Sequence, residues 1–239
     1  MPEKYKYKRI LLKLSGEILA GKERFGLNYP KINEVCAEIA EVAKTGIEIA
    51  MVVGGGNFIR GARAEDEGMD RVQADQMGML ATVINALALQ NALEQLGVPT
   101  RVQTAIEIRS IAEPFITRRA IRHLDKGRVL IFAAGTGSPY FSTDTAAALR
   151  ASEIKCDCLL KATKVDGIYD KDPVKYEDAK YLREVSYSDA LVMQLKVMDA
   201  PAFALCMENK MPIVVFDLQR KGNLAKLLIE GEKIGSVVY

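Results

Sequence analysis

The sequence has no tryptophan and only one histidine, His123, in 239 residues. With a single imidazole, Ser-His-Asp and Cys-His catalysis has one candidate, and a zinc site would need unusual ligands. His123 sits in the basic helical stretch RRAIRHLDKG, where it reads as a surface helix residue rather than a catalyst. The four cysteines, Cys36, Cys156, Cys158 and Cys206, show no framework spacing, and free, mostly buried thiols are expected. No apolar run approaches the ~18 residues of a membrane-spanning helix. The apolar segment near the N-terminus is too short for a signal peptide, so the expected location is the cytoplasm. Neither sign of charge dominates: 33 Lys and Arg against 31 Asp and Glu leave a net +2, which gives no reason to invoke nucleic acid or a membrane surface. Two nucleotide signatures are missing as well. There is no G-x-x-x-x-G-K-[ST] and no G-x-G-x-x-G after a strand, which excludes a P-loop enzyme and leaves a dinucleotide fold unsupported. Chemistry therefore falls to Lys, Arg, Asp and backbone amides.

What is present is a regular alternation. Apolar residues make up 49% and charged residues 27%, the balance of a globular protein. Short apolar runs at Arg9–Leu14, Ile47–Val53, Val129–Ala134, Cys158–Ala162 and Ile213–Phe216 read as strands, with a weaker one at Val102 and a closing one at Gly235–Tyr239. Between them lie helical patterns. One starts near Pro30 and stops at Gly46, with Ile32, Val35, Cys36, Ile39, Val42 and Ala43 on one face. A long one runs from about Asp70 to Leu96, with Leu80, Val83, Ile84, Leu87, Leu89, Leu93 and Leu96 around its apolar face. Others are expected at Glu113–Lys126, near Ser188–Leu195, at Asp199–Asn209 and around Asn223–Glu230. Strands alternating with helices predict an α/β fold, a three-layer α/β/α sandwich with a mainly parallel central sheet. One domain over residues 1–239 is expected.

Ligands in such folds gather beyond the C-terminal strand ends, and the unusual residues lie there. Lys13 interrupts an apolar strand immediately before Ser15-Gly16, and a lysine on a buried strand is costly unless it is paired or faces a site. Gly54-Gly55-Gly56 follows the next strand, where consecutive glycines suit close approach to the backbone, and Arg60 comes soon after with a fork suited to phosphate. Gly135–Ser142 links a buried strand to a helix that opens with Thr143 or Asp144 as N-cap, a loop suited to an anion. Lys161 and Thr163 end the fourth of the main runs. Asp75, near the start of the long helix, reads on its own as an exposed N-terminal acid. Glycine loops, two strand-end lysines and an arginine suit several phosphates held together, hence phosphoryl transfer. An acceptor phosphate monoester, with a second pKa near ~6, needs no general base.

Five blocks carry a resemblance: KRILLKLSGE (8–17), GGGNFIRG (54–61), DQMGMLATVINALAL (75–89), AGTGSPYFSTD (134–144) and KATKVDGIYDKDP (161–173). In order and over essentially the whole chain, they are similar to the bacterial UMP kinases, a branch of the amino acid kinase family. The resemblance implies transfer of the ATP γ-phosphate to UMP, with Mg²⁺ carried by the nucleotide. It places Lys13, Leu14, Ser15, Gly16, Gly56, Arg60, Thr163, Tyr169 and Asp172 at ATP, and Gly55, Arg60 and Asp75 at UMP. Thr136, Gly137, Ser138, Pro139, Tyr140, Phe141, Ser142 and Thr143 would enclose the uridine. Lys13 and Lys161 would stabilise the transferred group and Asp144 would orient them. Asp75 would accept from the ribose, against its reading as an exposed acid. Asp199 matches another acidic position, its role left open. The N-terminal part would bind mainly the acceptor and the C-terminal part mainly ATP. The family is homohexameric, inhibited by UTP and in many members activated by GTP. Arg24 stands where glycine is common and Ser138 where Asn is common. Two alternatives stay open: a family member acting on a small carboxylate or carbamate, and a non-catalytic nucleotide-binding regulator.

Overall fold

The computed structural model describes residues 6–23, 25–59 and 68–239. The first strand, β1 (Arg9–Leu14), leads through a one-turn helix α1 (Gly16–Leu19) to α2 (Tyr29–Ala43) and β2 (Glu48–Val53). The long helix α3 (Arg71–Gln95), β3 (Thr100–Thr104), β4 (Glu113–Pro114) and α4 (Thr117–Asp125) follow. Next come β5 (Val129–Ala133), α5 (Thr143–Glu153) and β6 (Cys158–Thr163). A small ribbon of β7 (Ile168–Tyr169) and β8 (Tyr181–Leu182) precedes β9 (Glu184–Val185), α6 (Tyr187–Val192) and α7 (Ala200–Glu208). The chain ends with β10 (Ile213–Asp217), a helical turn α8 (Asn223–Ala225) that widens into a π turn over Lys226–Glu230, and β11 (Ser236–Val238).

The central sheet has nine strands in the order β4-β3-β5-β2-β1-β6-β10-β11-β9. Pairings from β4 across to β10 are parallel, and only the β10–β11 pairing is antiparallel. From β1 the chain first extends the sheet to one side through β2 and later to the other through β6. The C-terminal end of β1 is thus a topological switch point, where parallel sheets open a crevice.

Alternation along the strands assigns each face. Ile10, Leu12 and Leu14 join the core under α2 and α3, whereas Leu11 joins the core under α4, α5 and α7. In β6, Cys158, Leu160 and Ala162 face the first core and Leu159 the second. A period of two then puts Lys13 and Lys161 on the α5 side of the sheet. β1 is therefore a central strand, and Lys13 is not in solvent.

Several expectations change on contact with the packing. Residues 113–126 do not form one helix. Glu113-Pro114 pairs with Gln103-Thr104 as a strand, and α4 starts only after Pro114, which cannot donate within a helix interior. Ser142, not Thr143 or Asp144, caps α5, its Oγ accepting from the N–H groups of Asp144 and Thr145. His123 is buried at 8% exposure rather than on the surface. On α3, Leu80 and Ile84 stand 50% and 46% exposed. Val83, Leu89 and Leu93 are buried as expected, but the buried side also carries small and polar residues (Ala74, Thr82, Asn85, Ala86), and Gly55 approaches it closely at Gly78. The four cysteines are free and buried, as expected. Burial pushes the thiols of Cys36 and Cys206 up to about 12 and raises those of Cys156 and Cys158 well above the ordinary thiol value. Among the described residues, no helix is long and apolar enough to cross a membrane.

Candidate active site

Lys13 and Lys161 are register partners on adjacent parallel strands. Two ammonium groups so placed repel unless a carboxylate lies between them, and Asp144 does. Its Oδ1 lies 2.6 Å from Lys13 Nζ and its Oδ2 2.7 Å from Lys161 Nζ. Burial alone would raise the Asp144 carboxyl, but the two ammonium groups outweigh it and hold the group below the usual carboxylate range. Asp144 sits in the first turn of α5, where the dipole also favours its charge. Lys161 Nζ donates in addition to the Val197 carbonyl at 2.6 Å. The triad carries one excess positive charge, aimed past the C-terminal strand ends.

Loops from four places close around it. Ser15 caps α1 by accepting from Glu17 N–H, and a methyl group on Gly16 would lie 2.5 Å from both Asn57 Oδ1 and the Gly54 carbonyl. Gly54 N–H continues the ladder to the Leu14 carbonyl, while the Leu14 side chain is fully buried and offers the site only backbone. A methyl on Gly55 would lie 2.6 Å from the Gly78 carbonyl of α3. These glycines are required by close approach. Arg60 and Arg24 lie outside the described residues.

A cavity of about 150 Å³ opens on one side, lined by Gly55, Asp75, Gly135, Thr136, Phe141, Ser142 and Thr143 together with Ile59, Gly78, Met79 and Thr82. Asp75 is not an exposed acid. Its Oδ2 accepts from Arg71 Nε at 2.9 Å and from Tyr140 N–H at 2.8 Å, holding the tip of the 136–143 loop. Thr136 Oγ1 accepts from Ser138 N–H, and Gly137, at φ 85°, passes so near Ala105 that a methyl would meet it at 3.2 Å. Pro139, Tyr140 and Phe141 form the outer rim, Tyr140 with its ring beneath the Arg71 guanidinium.

On the other side a larger cavity of about 540 Å³ is lined by Lys161, Thr163, Tyr169 and Asp172, with Gln194, Leu195, Lys196 and Val197 closing it. Thr163 donates to the Val165 carbonyl, Tyr169 donates to Asp166, and Asp172 caps the turn at Val174. Asp199 is the N-cap of α7 and accepts from Thr145 Oγ1 of α5 at 3.0 Å, so it fixes the segment that carries Val197. Lys161 thus lines the larger cavity, and Thr143, next to Asp144, lines the smaller one.

Residues 8–217 match the model of the amino acid kinase family. The chain belongs to the amino acid kinase family. Among solved members similar to it are UMP kinase from Bacillus anthracis (38% identity, TM-score 0.93, covering 97% of this chain and 96% of that one) and UMP kinase from Ureaplasma parvum (38%, 0.91, 97% and 98%). Uridylate kinase from Archaeoglobus fulgidus is more distant, at 27% identity and TM-score 0.73 over 96% of this chain and 99% of that one. In this member of the amino acid kinase family, Gln194–Val197 and the inner face of α3 escaped sequence reasoning. The second had a signal: Gly78 inside a helix costs about 1 kcal/mol against Ala and marks a close approach. The first had only the KVMDA match, which pointed to Asp199 rather than to its neighbours.

Proposed function

We propose that the protein is a UMP kinase that transfers the γ-phosphate of ATP to UMP, giving UDP and ADP. The observation that carries this reading is the Lys13–Asp144–Lys161 triad, set between two cavities that differ more than threefold in volume. The larger suits ATP, with the adenosine against Thr163, Tyr169 and Asp172. The smaller suits UMP, with Asp75 at the ribose and residues 136–143 around the base. The N-terminal part then binds mainly the acceptor and also supplies phosphate contacts, while the C-terminal part binds mainly ATP through its adenosine, within one domain. The likeness to two UMP kinases at 38% identity supports the acceptor assignment.

In this reading Lys13 and Lys161 donate to the oxygens of the phosphoryl group in transit, while Asp144 fixes their spacing. Charge that spreads over those oxygens in the transition state meets preorganised donors, which supply most of the catalysis in such transfers. Ser15, Gly16 and the Gly55-Gly56 backbone hold the bridging phosphates, and Arg60 completes the phosphate contacts. The acceptor phosphate is already ionised near neutral pH, so no base is needed. His123 is tied to Glu113 and Arg128 away from both cavities. Mg²⁺ enters as part of the ATP substrate in this reading, and both Asp144 oxygens face ammonium groups. The resemblance behind this activity also implies a cytoplasmic homohexamer inhibited by UTP, and many members of the family are activated by GTP.

A coupled assay of ADP release tests the reading, with UMP, CMP and N-acetylglutamate offered in parallel and UTP or GTP added. Turnover with UMP is expected. Turnover with N-acetylglutamate alone would replace it with the small-carboxylate alternative, and silence with all three would favour a nucleotide-binding regulator.

A further inference from the structure

Asp75, Gly78, Thr82 and Asn85 follow one another along α3 at intervals of three, four and three residues, which places them on one face of the helix. Each meets a loop of the site. Asp75 accepts from Tyr140 N–H, the Gly78 carbonyl abuts Gly55, and Asn85 Nδ2 donates to the Gly54 carbonyl at 2.7 Å. Asn85 also exchanges a reciprocal pair of amide hydrogen bonds with Asn57, at 2.9 and 2.7 Å. Thr82, 2% exposed, accepts from Ala134 N–H at 2.7 Å and donates to the Met79 carbonyl at 2.6 Å.

The Thr82 contact falls where the backbone needs holding. Ala134 is the last residue before the 135–142 loop and has φ 62°, a left-handed conformation that a residue with a Cβ adopts only at a cost. Its carbonyl accepts from Gly137 N–H at 2.9 Å, so its own N–H and the loop's first turn are linked through a single residue. Among the described residues, Thr82 Oγ1 is the acceptor recorded for that N–H, so losing it would free Ala134 to relax toward extended backbone.

Resting on the reading of this site as a UMP kinase, we infer that Thr82 is a positioning residue for the acceptor: its hydroxyl holds Ala134 in the left-handed conformation that turns the uridine loop into the cavity. Asn85 is the corresponding clip for the Gly54–Gly56 loop, so one face of α3 sets both loops relative to each other. Thr82 acts through Ala134 and takes no part in the transfer itself.

The test uses the full chain with Thr82→Val, which keeps shape and removes the hydroxyl, and Thr82→Ser, which keeps the hydroxyl. Amide hydrogen exchange on the substrate-free protein reads the geometry; steady-state kinetics read the consequence. Thr82→Val is expected to lose protection at the Ala134 amide and to raise KM for UMP about tenfold, with KM for ATP within about twofold. Thr82→Ser is expected to restore both. Unchanged Ala134 protection in Thr82→Val, or equal effects on the UMP and ATP constants, would overturn the inference while leaving the kinase reading intact. Should Thr82→Val fail to fold, a Thr82→Ser protein with poor UMP affinity would overturn it too. A wild-type protein inactive on UMP but protected at Ala134 would instead defeat the activity on which the inference rests.

Discussion

Two buried polar clusters lie on the same side of the sheet and use the same kinds of group to opposite ends. At the corner of β3, β4 and α4, Glu113 accepts from His123 Nε2 at 3.0 Å and from Gln103, while Arg128 reaches His123 Nδ1 at 3.0 Å. Arginine can only donate, so Nδ1 accepts and the ring carries its proton on Nε2, facing the carboxylate. One carboxylate and one guanidinium are bridged by a neutral ring, and Arg119 adds only a rim contact at 3.9 Å. At the ends of β1 and β6, one carboxylate serves two ammonium groups. The first cluster is matched and opens onto neither cavity. The second keeps an unspent positive charge next to two cavities. Charge imbalance, rather than burial or hydrogen-bond count, separates a site from a structural tie.

The sharpest way to break that contrast is to remove the shared carboxylate. Asp144→Asn leaves Lys13 and Lys161 side by side without a counter-charge, and a buried charge stripped of its partner costs on the order of 3 kcal/mol. The expected result is a clear fall in the urea midpoint and a loss of ADP release of about a hundredfold or more, because neither lysine is aimed. Acid should remove the same contribution. The Asp144 carboxyl titrates below its ordinary 3.8, so its stabilising effect is fully present above that value and is lost as pH falls through the lowered one. The stability gap between wild type and Asp144→Asn, followed by urea unfolding from pH 6 downward, should hold steady to about pH 4 and then close. At the matched cluster, His123→Ala should cost about 1–3 kcal/mol of stability through the unpaired Glu113 and Arg128, with kcat and both KM values within about twofold of wild type. A tenfold drop in kcat there would erase the distinction between the clusters.

Much of this was legible before any coordinates. Lys13 and Lys161 each interrupt an apolar run near its C-terminal end, as residues facing a site at the end of a central sheet would. The strands and the glycine loops were visible for the same reason: alternation and missing side chains are properties of the local sequence. His123 was misread because its neighbours are basic, while its partner Glu113 lies ten residues away, on a strand where Pro114 disfavours continuing the helix. Leu80 and Ile84 were misassigned because apolar spacing marks a face without saying which face is buried. The inner face of α3 is defined by loops from elsewhere in the chain, so Thr82 and Asn85 carry no local mark of their role.

The central claim is that the unspent charge of the triad acts on the phosphoryl group in transit and not on the resting substrates. Lys161→Ala tests it most directly, with UMP affinity measured by calorimetry and turnover by ADP release. UMP should bind within about threefold of wild type while turnover falls about a hundredfold to a thousandfold. Turnover near wild type, or a loss of UMP binding that accounts for the whole defect, would contradict the account.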